Sequence, residues 1–447
     1  MNSMANFGER RRFKHVPPLM YIFLSFAIVI LIGSVLLVLP ISSSDMNNSL
    51  SYINAFFLSV SAVCVTGLSP IASIGDYLST FGKIVIGLLI QIGGLGLVTI
   101  VSFIIVATGK RFNMSTANVV KESLNQSGFG ELRQLLVHIV IITVVFEVFG
   151  ALVNLMVFIH DYPFWEALGI SVFHSVSSFN NAGFDIIGST SMVKYQDNIL
   201  LNLNTCFLIL AGGLGFLIYE DVFAMRKWKK FSIQTRIVLI TNGLLLMTSF
   251  LLVKLLQGNS ITWLQAFFYS VNLRTAGFST FDVGTTLNTS TSVISAALMF
   301  IGGSPLSTAG GIKTTTLFVI VAAVISLYIG RNPIVFKREI SHETIRRAFI
   351  LFFLGIFDIF LAVFIISIIE GSKFSPIQIV YECFSAFGTV GLSMGITTEI
   401  SSWSKIILCL LMYFGRLGPV TMLTMWTPLF KSKANALSYL STEISIG

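Results

Sequence analysis

Apolar runs of two lengths alternate along this chain, and the alternation occurs four times. Runs at 18–40, 134–159, 234–257 and 345–369 are long enough to cross a hydrocarbon core of about 30 Å as helices. Each is followed by a short polar connection and an apolar segment of about half that length, at 53–64, 165–179, 262–273 and 377–387. A polar return and a second long run, at 81–108, 199–225, 291–329 and 405–428, close each unit. The half-length segments hold too few residues to cross. They predict re-entrant helices, which a membrane tolerates only where protein or water surrounds them. The pattern predicts an all-α membrane protein of four pseudo-symmetric span–re-entrant pore loop–span repeats around one central pore. Eight transmembrane helices follow, in repeats at 1–109, 110–230, 231–335 and 336–447.

Charge placement supports the re-entrant reading. Twenty of the 28 Lys and Arg fall in five segments, 10–14, 110–133, 226–236, 331–347 and 431–433. Lys83, Lys194, Lys254, Lys373 and Lys405 are scattered singly among the opposite set of connections. If the half-length segments crossed, successive basic segments would lie on opposite sides and the bias would vanish. The positive-inside rule then predicts basic segments and both termini in the cytoplasm, and the net charge of +8 requires no nucleic-acid partner.

Composition agrees. The chain is 54% hydrophobic and 11% charged, against about 25% charged in soluble domains. Arg10, Arg11, Arg12 and Lys14 precede the first run with no small-residue cleavage site after it, which predicts a retained first span. Cys64, Cys206, Cys383 and Cys409 lie in apolar sequence without metal-ligand spacing and read as buried hydrophobes.

The candidate chemistry sits at the ends of the half-length segments: Val65-Thr66-Gly67, Asn181-Ala182-Gly183, Thr275-Ala276-Gly277 and Thr389-Val390-Gly391. Aligned on those glycines, each copy carries an aromatic ten residues earlier (Phe57, Phe173, Phe267, Tyr381) and Leu or Phe directly after. A glycine admits φ > 0, so neighbouring carbonyls can turn toward one axis, and a ring of carbonyls replaces the water shell of a potassium ion. Thr389-Val390-Gly391 matches the first half of the potassium-channel signature Thr-Val-Gly-Tyr-Gly, and the second half is absent. Of the residues just after the glycines only Asp185 is acidic, which argues against a divalent-cation filter. The half-helices would aim their negative C-terminal ends at the ion. His174 reads as a packing residue, and Arg274 as an anchor of its own loop.

A glycine-rich break follows each filter glycine by 24 to 29 residues: Gly93-Gly94-Leu95-Gly96, Gly212-Gly213-Leu214-Gly215, Gly302-Gly303-Ser304-Pro305 and Gly415-Arg416-Leu417-Gly418. The first two fit small-residue helix packing or a local weakening equally well. A dinucleotide fingerprint fails at Thr99 and Ile218. The third break extends through Leu306, Ser307, Thr308, Ala309, Gly310 and Gly311 to Lys313, a composition that no mid-membrane helix accommodates. It predicts an irregular plug below the filter. Arg416, in the fourth break, must face water or a partner at membrane depth. It is expected to act as an electrostatic barrier or to tether the plug, the structural alternative being a pair with Glu147 or Asp358.

These segments together resemble the membrane subunit of the Trk/Ktr/HKT superfamily of potassium transporters, closest to the bacterial Ktr type. The resemblance covers residues 18–428. It is carried by Ser61–Leu68, Phe179–Phe184, Arg274–Gly277, Ser385–Leu392 and the 302–311 loop. It implies potassium uptake, often sodium-dependent, across a bacterial cytoplasmic membrane by a homodimer with one pore per protomer. It further implies a cytosolic regulatory ring that binds adenine nucleotides (ATP or ADP), an intramembrane gate at 302–311, and Arg416 as the gate's partner. The protein itself is expected to need no cofactor. All four filter glycines are present, the pattern associated with potassium. Asn272-Leu273 stands where the family usually has Thr-Pro.

Two other readings compete with potassium translocation. One is transport of another small solute, ammonium or sodium. The other is an intramembrane enzyme, for which the chain offers neither H-E-x-x-H nor paired intramembrane aspartates.

Overall fold

The computed structural model describes residues 18–45, 49–96, 99–100, 102–103, 132–188, 191–225 and 227–418. The basic segments at 10–14 and 431–433, most of 110–133 and the end of the 405–428 run lie outside these residues.

Four long helices match the first runs: α1 (Pro18–Val38), α5 (Leu132–Phe158), α9 (Ile233–Gln257) and α14 (His342–Glu370). Among the described residues these four are long and apolar enough to cross a membrane by themselves. Only 22–28% of each apolar window is buried against the protein, so the remaining apolar surface requires lipid. The half-length segments form α2 (Tyr52–Val63), α6 (Phe164–Phe179), α10 (Trp263–Asn272) and α15 (Pro376–Gly388). At 12, 16, 10 and 13 residues, they span roughly half to four-fifths of the hydrocarbon core at about 1.5 Å per residue. Ser51, and Thr262 with Gln265, cap α2 and α10. Exposed Tyr52, Trp165, Trp263 and Trp403 lie in the first turns of α2, α6, α10 and the final helix α16, as an interfacial aromatic belt requires.

The second long runs are interrupted at their glycines. α4 (Thr80–Leu95) stops at Gly96. α7 (Ile199–Leu214) turns by 92° at Gly215 into α8 (Phe216–Met225). α12 (Thr289–Phe300) and α13 (Thr314–Ile329) flank a non-helical segment, and α16 (Ser402–Leu417) ends at Gly418. Gly96, Gly215 and Gly418 all have φ between +80° and +94°, a conformation that side chains resist, so the last glycine of the first, second and fourth breaks ends its helix. Two single turns, α3 (Ile74–Tyr77) and α11 (Val283–Thr286), lie in polar returns. The all-α expectation misses a small hairpin in the basic connection, β1 (Ile334–Val335) paired antiparallel with β2 (Arg338–Glu339).

The units close into a ring. Within the first, α1 packs on α2 and α4. Across units α4 packs on α6, α7 on α10, α12 on α15, and α16 on α2. Each half-helix is therefore held between its own unit and its neighbour. The hydroxyls of Tyr269 and Tyr381, 2.9 Å apart, join two adjacent half-helices, and all four cysteines are buried and free.

Candidate ion-conduction site

Each half-helix delivers its C-terminus to one central point, and the backbone there repeats four times. Val65, Asn181, Thr275 and Thr389, each two residues before its glycine, have φ of +57°, +60°, +65° and +50°. Gly67, Gly183, Gly277 and Gly391 have φ of +98°, +67°, +82° and +91°. Such left-handed residues are uncommon outside glycine and cluster at functional sites. Alternating them turns successive peptide units, which is the geometry for pointing carbonyls the same way.

The four glycines form a closed ring. A Cβ on Gly67 would stand 2.5 Å from the Ala182 carbonyl oxygen, and one on Gly183 2.4 Å from that of Ala276. A Cβ on Gly277 would stand 2.6 Å from the Val390 carbonyl oxygen, and one on Gly391 2.2 Å from that of Thr66. All four distances lie below any real Cβ contact, so every one of these positions admits only hydrogen there. In copies one and four a buried serine supports the ring: Ser61 Oγ accepts from Gly67 N–H and Ser385 Oγ from Gly391 N–H, both at 3.1 Å. Copy three departs where Asn272 stands. The Ala276 N–H donates to Asn272 O four residues back, whereas Thr66, Ala182 and Val390 donate five residues back. Asn272 Oδ1 then accepts from Phe278 N–H at 2.9 Å and holds that loop by a different bond.

On one side the ring opens into a cavity of about 370 Å³ lined by all four glycines and by Leu68, Phe184, Phe281 and Leu392. Among the described residues Asp185 and Asp282 are its charged lining, and no base lines it. Asp282 joins Asp185 there from another loop, which the sequence spacing did not reveal. Withdrawal from bulk water pushes the Asp185 carboxyl up to about 6, against the opposing bonds from Ser191 and the backbone at Ile187 and Gly188. Glu382 on α15, also unanticipated, is fully enclosed behind this wall and accepts hydrogen bonds from Ser393 (2.8 Å) and Thr397.

On the other side the segment 301–313 crosses beneath the ring. Ile301 and Ile312 pair in parallel at its neck, and a Cβ on Gly302 would meet Gly310 O at 1.9 Å, so the two arms of the segment touch. Ser304 and Thr308 donate backbone N–H groups to Gly213 O and Gly212 O. Gly311 N–H donates to Gly415 O, and Phe216 N–H to Leu306 O. Ser304 Oγ also accepts from Asn242 at 3.0 Å, and Lys313 Nζ donates to Ala309 O at 2.6 Å. The segment reaches the ring itself. Thr308 Oγ1 donates to Asn181 Oδ1 at 2.9 Å, and a Cβ on Gly310 would meet Thr389 Oγ1 at 2.3 Å. Pro305 and Ser307 form the turn between these contacts, with Ser307 Oγ donating to Ser304 O at 2.7 Å.

Arg416 stands against this segment rather than against an acid. Its guanidinium donates to Thr308 O, and to Gly93 O and Gly94 O at 2.5 and 3.1 Å. The segment is thus bonded to the second and fourth breaks directly and to the first through Arg416. Arg274 donates to Ile301 O at 2.9 Å, which fixes the third glycine loop to the start of the same segment. His174 is buried between Phe158 and Phe278 and bonded to Thr205, away from the ring. The break glycines also pack: Cβ atoms on Gly93, Gly212 and Gly415 would meet Val63 O, Phe179 O and Phe387 O at 2.1, 1.8 and 1.8 Å. The first two breaks therefore serve both close packing and helix termination.

The arrangement is a ring of four loops, with a cavity holding two acids on one side and an irregular segment across the other. Comparison with known proteins agrees with a transport fold. The chain is 35% identical over 436 residues to the "Ktr system potassium uptake protein B" of Bacillus subtilis, covering 95% of each chain. It is 35% identical over 450 residues to the "Potassium/sodium uptake protein NtpJ" of Enterococcus hirae, covering 98% of each. The crystal structure of the potassium transporter TrkH from Vibrio parahaemolyticus has the same fold, with a TM-score of 0.73 at 20% identity over 95% of this chain and 88% of that one. A family model described as "TrkH: Cation transport protein" matches residues 20–436. On that match and on these full-length relatives, the chain belongs to the TrkH family of cation transport proteins, whose members are transporters and not enzymes.

Proposed function

We propose that this chain is the membrane subunit of a potassium uptake system, with Val65–Gly67, Asn181–Gly183, Thr275–Gly277 and Thr389–Gly391 as its selectivity filter. One observation carries the reading: four glycines, each against the next loop's carbonyl, bring the four loops together in one ring that leaves no room for a Cβ at these positions. Backbone carbonyls supply partial negative charge from fixed positions, and the C-terminal ends of four half-helices add to it. The relatives are named as potassium and potassium/sodium uptake proteins, which supports potassium as the cargo and sodium as a second ion. The four repeats at 1–109, 110–230, 231–335 and 336–447 would each cross twice, giving eight spans with both termini in the cytoplasm.

In this reading Gly302–Gly311 with Lys313 is the gate, and Arg416 its tether. Closure is favoured because the guanidinium satisfies three carbonyls that the breaks leave without helical partners. The protein works as a homodimer in a bacterial cell membrane. A separate cytosolic subunit that binds ATP or ADP moves the gate, and uptake depends on sodium. The test is rubidium-86 uptake by the purified protein in liposomes, with sodium and a candidate regulatory subunit varied. Uptake competed by potassium but not by ammonium supports the reading. Uptake that ammonium suppresses equally well overturns it.

A further inference from the structure

Glu147 lies near the middle of α5, at membrane depth, and among the described residues it has no ion-pair partner. A carboxylate there must be neutralised, since an uncompensated charge in the membrane costs several kcal/mol. Its neighbours are amides. Asn180 Nδ2 lies 2.9 Å from Glu147 Oε1, and Gln91 Nε2 lies 3.4 Å from Glu147 Oε2. The same Asn180 Nδ2 is also 2.9 Å from Gln91 Oε1 and from Val176 O. Two amide hydrogens therefore face three oxygens, while Asn180 Oδ1, fully buried, has no donor at all. With Glu147 ionised the cluster has a surplus of acceptors, which its own amide hydrogens do not resolve.

We propose that Glu147, Gln91 and Asn180 form a second cation site, off the conduction path, for a single alkali cation. The charge fits: one carboxylate is balanced by one positive charge, and a divalent ion would leave an excess. The amides fit too. An amide's oxygen and nitrogen have nearly the same shape, so turning Asn180 over about its Cβ–Cγ bond costs little packing. That rotation brings its unpartnered Oδ1 to where Nδ2 stands, 2.9 Å from both Gln91 Oε1 and Glu147 Oε1, so three oxygens face one another and a cation beside them offsets their repulsion.

The site touches both halves of the conduction machinery. Asn180 directly precedes Asn181 of the filter ring. Its Oδ1 abuts Gly94, where a Cβ would stand 2.0 Å away, and Gly93 and Gly94 supply two of the carbonyls that hold Arg416. Cation occupancy would reset Asn180 and with it the backbone to which the gate is tied. What the site controls rests on the transport reading above; whether it binds a cation does not.

Thermal unfolding of the purified full-length protein tests this, with NaCl exchanged for choline chloride at constant ionic strength and saturating KCl keeping the filter filled. We expect a saturable rise in Tm of about 2–4 °C. Glu147→Gln should abolish that rise, and Gln91→Leu, which leaves the carboxylate in place, should raise the half-saturating concentration about tenfold. The reverse titration, KCl on constant NaCl, identifies which alkali ion the site takes. An undiminished rise in both variants overturns the site. So does a wild-type Tm that follows pH alone and ignores both ions, because the carboxyl then carries a proton. A normal sodium response without rubidium uptake overturns the transport reading and leaves the site standing.

Discussion

Thr308 joins the 301–313 segment to the ring of four glycine loops: its hydroxyl donates to Asn181 Oδ1 at 2.9 Å while its own carbonyl accepts from Arg416. One residue is held on one side by a loop of the ring and on the other by Arg416. Removing only the bond to Asn181 separates the two. Thr308→Val should raise rubidium uptake about two- to tenfold, the range set by about 0.5–1.5 kcal/mol for one hydrogen bond, and Thr308→Ser should restore the wild-type rate. Equal rates for Val and Ser would show that the hydroxyl does not hold the segment.

Arg416 satisfies three backbone carbonyls from two directions, a geometry that its planar fork permits. Arg416→Ala should raise flux by more than Thr308→Val. Arg416→Lys should fall between, since a single ammonium cannot reach all three carbonyls. Shortening residues 304–309 should act in the same direction. A lower rate in assembled protein would sink the plug.

The Gly391 ring contact is the tightest of the four, at 2.2 Å to Thr66 O. Gly391→Ser pushes the first and fourth loops apart and should reduce the preference for potassium over sodium, measured as the ratio of competing ion concentrations that halve rubidium uptake. Gly67→Ser should do the same, with 2.5 Å to Ala182 O. An unchanged ratio in either variant removes that loop from the filter.

Asp185 gives the vestibule a pH dependence. Its carboxyl, pushed up to about 6 by its walls, is charged above that value and neutral below it. Uptake from dilute potassium should therefore fall as the pH on the vestibule side drops through about 6, and high salt should flatten the effect by screening. Asp185→Asn should hold the low-pH rate at all pH values. The check is initial uptake between pH 5 and 8 at constant ionic strength.

Gly415 abuts Phe387 O, and Gly212 abuts Phe179 O, each leaving 1.8 Å for an added methyl. Backbone cannot yield as a flexible side chain can. Gly415→Ala and Gly212→Ala should each lower Tm by several degrees, whereas Gly169→Ala, in open space on α6, should leave it unchanged. Similar Tm values for all three would remove the packing role from the break glycines.

The long helices were legible because burial in lipid imposes one rule on every residue of a span. α1, α5, α9 and α14 fall within about three residues of the apolar runs that predict them. The half-helices were legible by their length, and the four ring glycines by fourfold repetition at a fixed offset from an aromatic. Asn272 was visible as a departure, and its consequence, a different bond holding the third loop, is seen only in the fold. Glu382 and Asp282 were missed because neither belongs to the repeat. Their roles depend on which loop folds over which half-helix.

The sequence alone therefore determined the four long apolar helices, the half-helices with their four loops and the inequality of the third and fourth breaks, all of which are local in the chain. Only the tertiary structure decided partners. Arg416 lies 108 residues from Thr308 and 322 from Gly94, and its choice of carbonyls over Glu147 or Asp358 depends on where the α4 and α12 breaks come to rest. Asn181 likewise meets Thr308 across 127 residues. Periodicity records which face of a helix is buried, but a hydrogen bond between irregular segments leaves no periodic trace. It exists only when the ring has closed.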